Sequence, residues 1–114
     1  MRLVVAANDS NFGIPEVKRG LAAAAGGLLR LPKILPYQLA MELALTGDPL
    51  TAARAHQFGL VNRITEPGEA LAGARELAAA IAANGPLAVR ATKQVTSMAI
   101  RYTDPELIKK QWDF

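Results

Sequence analysis

The carboxylate of Glu16 has the surroundings in this sequence that best suit acid–base chemistry. It lies in the segment 12–17, where apolar residues come before and after it. An apolar environment disfavours the charged form of a carboxylate, and general acids and bases are tuned toward neutral pH in this way. The alternative is a surface glutamate paired with Lys18 or Arg19, and the residue pattern alone favours that alternative. Glu16 is therefore the candidate catalytic residue, with both interpretations open.

The other polar residues give weaker signals for chemistry. His56 is the only histidine and has no cysteine partner, so a structural or surface role is favoured over a metal site. Glu42 lies in an apolar segment and is interpreted as a hydrogen-bonded core group, whereas Asp48, Glu66 and Asp104 lie beside prolines in predicted turns. We predict no metal site.

The glycine-bounded segment 20–27 could be mistaken for a phosphate-binding loop. It lacks both the Gly-Lys-Ser/Thr ending of a P-loop and the G-x-G-x-x-G pattern. We interpret it as a close-packed turn that lets the backbone approach a ligand.

Composition limits the class of protein. The 114 residues suit one domain or a piece of one, and 51% of them are hydrophobic. With no cysteine there is no disulfide framework, thiolate metal site or Cys nucleophile. The 13 basic residues exceed the 10 acidic ones only slightly and form no basic arm, which disfavours nucleic-acid binding. No apolar run approaches the roughly 20 residues that span a bilayer. We predict a cytoplasmic protein with no nucleic-acid or membrane partner.

The elements that must position Glu16 follow from hydrophobic patterning and from the prolines and glycines. A strand buried on both faces is predicted for residues 3–7, an extended segment for 11–17 and a second strand for 60–64. Between them we predict a helical segment at 28–35 broken by Pro32, a helix at 37–45 buried all round, and a short helix capped by Thr51.

The pattern becomes helical after the boundary signal Glu66-Pro67-Gly68. An apolar stripe at helical spacing predicts one helix around residues 71–81, and Pro86 starts a second that reaches Met98. Asp104-Pro105 offers the N-cap and first-turn proline of a last helix. We expect two parts, residues 1–67 and 68–114.

Several segments together resemble the enoyl-CoA hydratase (crotonase) family. That family reads roughly F-G-x-P-E-V-x-x-G-L, then G-A-G-G and R-L-P, and later carries a P-x-A-V-x-A-T-K helix. The matching segments occur in the right order and spacing at residues 12–21, 25–27, 30–32, 40–42, 45–48, 52–55, 59–61 and 86–93. The resemblance covers nearly the whole chain.

The resemblance implies a fold and a chemistry. Glu16 falls on the family's Pro-Glu carboxylate, which in a hydratase works with a second glutamate to add water to an enoyl-CoA thioester. The backbone N–H of Ala24, where the family commonly has glycine, would contact the catalytic water. No cofactor is implied, because the coenzyme A thioester is the substrate. The implied α/β fold is part of a crotonase-type spiral core in residues 1–67, then a helical oligomerisation region that forms trimers or hexamers.

The resemblance also implies that parts of a full family member lie outside this chain. The second glutamate, both oxyanion-hole amides and most of the coenzyme A site would precede Met1, and the family's last helix would follow Phe114. We therefore expect a truncated chain that is inactive by itself. The parent function is hydration of an enoyl-CoA; the alternatives are another reaction of the superfamily, such as enoyl-CoA isomerisation, or a non-catalytic helical self-association fragment.

Overall fold

A computed structural model describes residues 3–23 and 26–99 of the chain. These residues fall into two compact units that meet in sequence between Ala74 and Arg75. The first unit contains four short strands, β1 (Val5–Ala7), β2 (Asn11–Phe12), β3 (Leu50–Thr51) and β4 (Arg63–Thr65), and three helices, α1 (Gly27–Ile34), α2 (Tyr37–Thr46) and α3 (Ala52–Gln57). The α/β class predicted from the sequence is confirmed.

Strands β1 and β4 pair in parallel, although 58 residues separate their partners, with Ala6 opposite Ile64. Asn62 extends this pairing, because its side-chain Oδ1 accepts a hydrogen bond from the Val4 N–H at 2.7 Å and its own N–H donates to the Val4 carbonyl at 2.8 Å. The strand predicted at 3–7 is shorter than expected. Its burial on both faces is wrong for Leu3, which is exposed.

Gly73 lies where the first turns of α4 (Ala70–Ala82) meet this sheet. A Cβ at Gly73 would lie 2.7 Å from Thr65 Cγ2 and 3.1 Å from Val5 Cγ1. A side chain at this position would therefore push the helix off the strands, so glycine sets the distance between them.

The segment before α1 and α1 itself differ from expectation. Residues 15–19 form a 3₁₀ helix rather than an extended segment. Proline disfavours helical backbone at the residue before it, and Ile14, with a φ of −127° and a ψ of 84°, is not helical, but proline can itself open a helix. Helix α1 runs through Pro32 instead of breaking there, and it ends before Leu35, which is extended because Pro36 follows it.

The core lies between α2, α3 and the strands. Its buried members are Ala6, Leu35, Leu39, Ala40, Leu43, Leu50, Ala55 and Val61. Small residues at Ala40 and Ala55 let the helix backbones pack closely against this cluster. Leu50 and Val61 are its largest fully buried side chains.

The composition of α2 predicts a helix buried on all sides, but only one face of it is buried. Leu39, Ala40 and Leu43 face the core, whereas Tyr37 is 62% exposed and Leu45 68% exposed in this chain. An apolar residue count alone does not distinguish a core face from an outer face that another surface would cover.

Helix α3 forms as predicted. Thr51 Oγ1 accepts a hydrogen bond from the Arg54 N–H at 3.2 Å, and Gly59 follows the helix with a φ of 86°. This confirms Thr51 as the N-cap.

Helix α4 continues into the second unit, where α5 (Pro86–Met98) follows it. Both helices confirm the prediction from the apolar stripes, and Pro86 occupies the first turn of α5. The helix predicted at Asp104-Pro105 lies outside the described residues. No helix within the described part of the chain is both long and apolar enough to cross a membrane.

The packing of the core predicts that two Leu→Ala substitutions lower the free energy of unfolding by very different amounts. Leu50→Ala removes a side chain that is 1% exposed and is expected to lower the free energy of unfolding by about 2–5 kcal/mol. Leu29→Ala, at a residue 76% exposed, is the matched control and should change it by less than about 0.5 kcal/mol. Urea unfolding followed by circular dichroism measures both. Equal effects of the two variants would show that Leu50 is not part of a packed core.

Candidate active site

Glu16 lies in the 3₁₀ helix Pro15–Arg19, called here the Glu16 turn. Pro15 begins it, and Gly20 ends it with a φ of 73°, in the left-handed region that favours glycine. The Leu21 N–H donates to the Glu16 carbonyl at 3.1 Å, and the Gly20 N–H donates to the Val17 carbonyl at 3.1 Å. These backbone bonds close the turn at its C-terminal end.

The Glu16 carboxylate has one buried oxygen without a partner. Its Oε2 is shielded from solvent and makes no hydrogen bond within the part of the chain that the structure describes. A buried, unsatisfied carboxylate oxygen destabilises a fold, so its presence needs an explanation, and a catalytic role is one. Because Oε2 has no donor among the described residues, it could accept a hydrogen bond from a ligand.

The surface ion-pair interpretation of Glu16 is wrong for Lys18. Lys18 Nζ contacts Asp48 Oδ1 at 2.7 Å instead. The second ion pair of the described residues joins Arg54 to Glu42 at 3.6 Å, so neither pair includes Glu16 or Arg19.

The turn at residues 46–49, called here the supporting turn, lies against the Glu16 turn. Gly47 ends α2 with a φ of 69°, and its N–H donates to the Leu43 carbonyl at 3.0 Å. The Thr46 hydroxyl donates to the Glu42 carbonyl at 2.7 Å and accepts from the Asp48 N–H at 3.2 Å. These bonds fix the direction of the chain after α2.

Gly47 lies against the Glu16 turn. A Cβ at this position would lie 3.0 Å from Lys18 Cγ and 3.2 Å from Val17 Cγ2. Glycine is favoured here for two reasons: its φ is positive, and a Cβ would crowd the Val17 and Lys18 side chains. With the Lys18–Asp48 contact, Gly47 joins the two turns.

Strand pairing holds the chain on the N-terminal side of Glu16. Strands β2 and β3 run antiparallel, with Asn11 opposite Thr51 and Phe12 opposite Leu50. Because β3 follows the supporting turn directly, the same short segment of chain contacts both sides of the Glu16 turn.

The glycine-rich segment after Glu16 is described in part. Ala24, expected to offer its N–H to the catalytic water, lies outside the described residues. Gly26 precedes α1 with a φ of 88°, and a Cβ at Gly27 would lie 3.6 Å from Ile14 Cδ1. The start of α1 therefore comes close to the residue just before the Glu16 turn.

The remaining candidates lie elsewhere. Glu42 is not a core group: it is exposed on α2 and pairs with Arg54. His56 is exposed on α3, and the described residues contain no group of His, Cys, Asp or Glu that could hold a metal ion. Glu42 and Arg54 also line an open groove of about 520 Å³ with Pro36, Gln38, Leu39 and Phe58. Glu16 is not among its lining residues.

Sequence reasoning missed Gly47 and Asp48. The glycine after an apolar helix signals a helix end, but its contact with a residue about thirty positions earlier depends on tertiary structure. Asp48 was interpreted as an ordinary turn residue, because a proline follows it.

The chain is similar in sequence to known proteins over most of its length. Residues 2–113 match the family model described as Enoyl-CoA hydratase/isomerase. A carnitinyl-CoA dehydratase of Salmonella arizonae is 43% identical over 93 residues, which are 82% of this chain and 36% of that protein. A mevalonyl-coenzyme A hydratase of Aspergillus fumigatus is 47% identical over 92 residues, which are 81% of this chain and 34% of that protein.

Solved structures match the fold as well. The crystal structure of an enoyl-CoA hydratase from Mycobacterium tuberculosis has a TM-score of 0.92 at 57% identity and covers 98% of this chain and 44% of that chain. An enoyl-CoA hydratase from Mycobacterium marinum has a TM-score of 0.93 at 56% identity, with 98% and 46% coverage. The chain thus spans about a third of the curated relatives and less than half of these solved chains.

The contact between the two turns predicts how two glycine substitutions differ. Gly47→Ala and Gly59→Ala both place a Cβ at positive φ, which costs about 1–2 kcal/mol. Only Gly47→Ala also crowds the Glu16 turn, since no atom lies within 4 Å of a Cβ at Gly59. Gly47→Ala should therefore lower the free energy of unfolding by about 1 kcal/mol more than Gly59→Ala. Equal losses in urea unfolding would contradict the contact.

Proposed function

The chain belongs to the enoyl-CoA hydratase/isomerase (crotonase) family, and from this premise we propose that it carries one catalytic carboxylate, Glu16, of an enoyl-CoA hydratase. The observation that carries the proposal is the buried Oε2 of Glu16, which forms no hydrogen bond with any group of residues 3–23 and 26–99. The family match adds the chemistry that such a carboxylate would serve.

Hydration adds the elements of water across a carbon–carbon double bond conjugated to a thioester. Oxygen bonds to one carbon and a proton to the other, so the reaction needs a group that accepts one proton and a group that supplies one. A carboxylate held without a competing cation can do either as a general base or acid. Lys18 is the cationic residue nearest to Glu16 in the sequence. It pairs with Asp48 instead, which leaves Glu16 free for this role.

The family resemblance supplies the rest of the proposed site from sequence that this chain does not contain. A second glutamate would share the proton transfers, and two backbone amides would stabilise the negative charge that develops on the thioester oxygen. The substrate is an acyl-CoA thioester and no separate cofactor takes part. Ala24 would bring its N–H to the catalytic water.

Isomerisation of an enoyl-CoA is the second candidate. Moving a double bond requires one proton to leave one carbon and one to reach another, which a single carboxylate can do in turn. The observation that favours it is that one such carboxylate, Glu16, is present in the described residues. The product separates the two reactions, because only hydration gives a hydroxyacyl-CoA.

Assembly is the next part of the proposal. Leu71 and Ile81 on α4 are exposed apolar side chains, and exposed apolar surface can mark a site that a partner covers. We propose that residues 68–114 form a helical region through which the protein makes homotrimers or hexamers, after a core part in residues 1–67. The proposed location is cytoplasmic, with neither nucleic acid nor membrane as a partner.

Glu16→Gln tests the catalytic role. The chain is fused in place of the matching 44% of the Mycobacterium tuberculosis enoyl-CoA hydratase, which supplies the remaining segments. In this fusion Glu16→Gln should lower kcat for crotonyl-CoA about 10²-fold or more, because glutamine cannot transfer a proton. Loss of the enoyl absorbance and chromatography of the product measure rate and reaction type.

Two controls accompany this variant. Glu42→Gln removes a different, exposed carboxylate and should leave kcat within about twofold. The unfused chain should turn over at least about 10²-fold more slowly than the fusion, because it matches 44% of that hydratase and the proposed oxyanion donors come from the remainder. Wild-type kcat in Glu16→Gln would refute the proposed function.

Self-association of the chain alone tests the proposed oligomerisation surface. The exposed apolar residues of α4 are expected to drive association at micromolar concentration. Sedimentation velocity should show species larger than the monomer, and Leu71→Glu with Ile81→Glu should shift the distribution back toward it. A folded wild-type monomer under these conditions would contradict the prediction.

A further inference from the structure

We propose that Asp48 is a positioning residue for Glu16, which acts by holding Lys18 and with it the Glu16 turn. The catalytic part of this inference rests on the proposed function, whereas the geometric part stands on the structure alone. The contact that carries it is the 2.7 Å approach of Lys18 Nζ to Asp48 Oδ1.

The Glu16 turn has no anchor of its own in the core. None of residues 15–19 is buried, and the N-terminal end of the turn has no side-chain cap. A single 3₁₀ turn with two closing backbone bonds is held weakly by local structure alone, since such helices have poor hydrogen-bond geometry. Its position therefore depends on what packs against it.

The supporting turn packs against the Glu16 turn and is itself held by a helix that is anchored in the core. It directly follows α2, whose Leu39, Ala40 and Leu43 are buried in the core. Gly47 lies against Val17 and Lys18, and Asp48 binds the Lys18 ammonium. Residues 47 and 48 thus connect the Glu16 turn to a helix that packs in the core.

The direction of the Lys18 side chain also keeps its ammonium group from pairing with the Glu16 carboxylate. In a 3₁₀ helix successive residues are about 120° apart, so Lys18 leaves the turn about 240° around from Glu16. Asp48 holds the ammonium on that side. Without Asp48, a flexible lysine two residues away could pair with the unpartnered Oε2 and compete with a proton or a substrate.

The ion pair is too exposed to contribute much to global stability. The Lys18 and Asp48 side chains are 53% and 65% exposed, and pairs of this kind stabilise proteins little. Loss of Asp48 is therefore expected to change the local order of the Glu16 turn while the unfolding transition stays in place. This separates a positioning role from a purely structural one.

Amide hydrogen exchange on the full chain tests the geometric part. In Asp48→Asn the Gly20 and Leu21 amides, which close the Glu16 turn, should exchange about threefold faster. The Leu60 amide, bonded to the Ala55 carbonyl, should not change. Glu42→Gln is the matched control, because it removes an ion pair of similar exposure, and should leave all three amides unchanged.

Rescue distinguishes the charge contact from the loss of any side chain. Asp48→Glu keeps the carboxylate and should restore most of the protection. The exchange of charges in Lys18→Asp with Asp48→Lys should do the same. Unchanged exchange at Gly20 and Leu21 in Asp48→Asn, or an equal change in Glu42→Gln, would overturn the geometric part whatever Glu16 does.

A double-variant cycle in the fusion enzyme tests the catalytic part. Asp48→Asn should lower kcat about tenfold with KM within about twofold, since misplacing a catalytic group lowers the rate of the chemical step. In the Glu16→Gln background it should have no further effect, because Asp48 acts only through Glu16. A tenfold loss that persists without Glu16 would overturn the inference, whereas failure of the proposed function would appear as full activity of Glu16→Gln alone.

Discussion

The contact between the supporting turn and the Glu16 turn is the constraint on which the candidate site depends. Gly47 lies against Val17 and Lys18, where a Cβ would be crowded, and the next residue, Asp48, contacts Lys18. Strand β3 then continues directly to pair with β2. Gly47, Asp48 and strand β3, which follow α2 in the chain, thus hold the Glu16 turn, none of whose residues is buried in the core.

The buried Oε2 of Glu16 is a local cost that the rest of the first unit tolerates. An unsatisfied carboxylate oxygen opposes folding, and the apolar cluster around Leu50 and Val61 must outweigh it. A buried polar group without a partner calls for an explanation, and a ligand that completes the missing hydrogen bond is one. The proposed function gives this unsatisfied group a reaction to serve, and the family match supports that proposal.

Local signals in the sequence predicted the elements that depend on local chemistry. Thr51 as a cap, Pro86 as a helix start and the apolar stripes of α4 and α5 are properties of neighbouring residues, and the structure confirms them. The outer face of α2 and the exposure of Glu42 were predicted wrongly, because burial depends on what packs against a helix. The role of Asp48 could not be predicted, since its partner lies thirty residues away and only the tertiary fold brings them together.

The most direct test of the account is a crystal structure of the fusion enzyme with a bound, unreactive acyl-CoA thioester. The account predicts that Glu16 Oε2 lies within about 3.2 Å of the water or acyl group at the reacting carbons, with Lys18 still bound to Asp48. A Glu16 carboxylate paired with Lys18 or Arg19, and turned away from the acyl group, would contradict it.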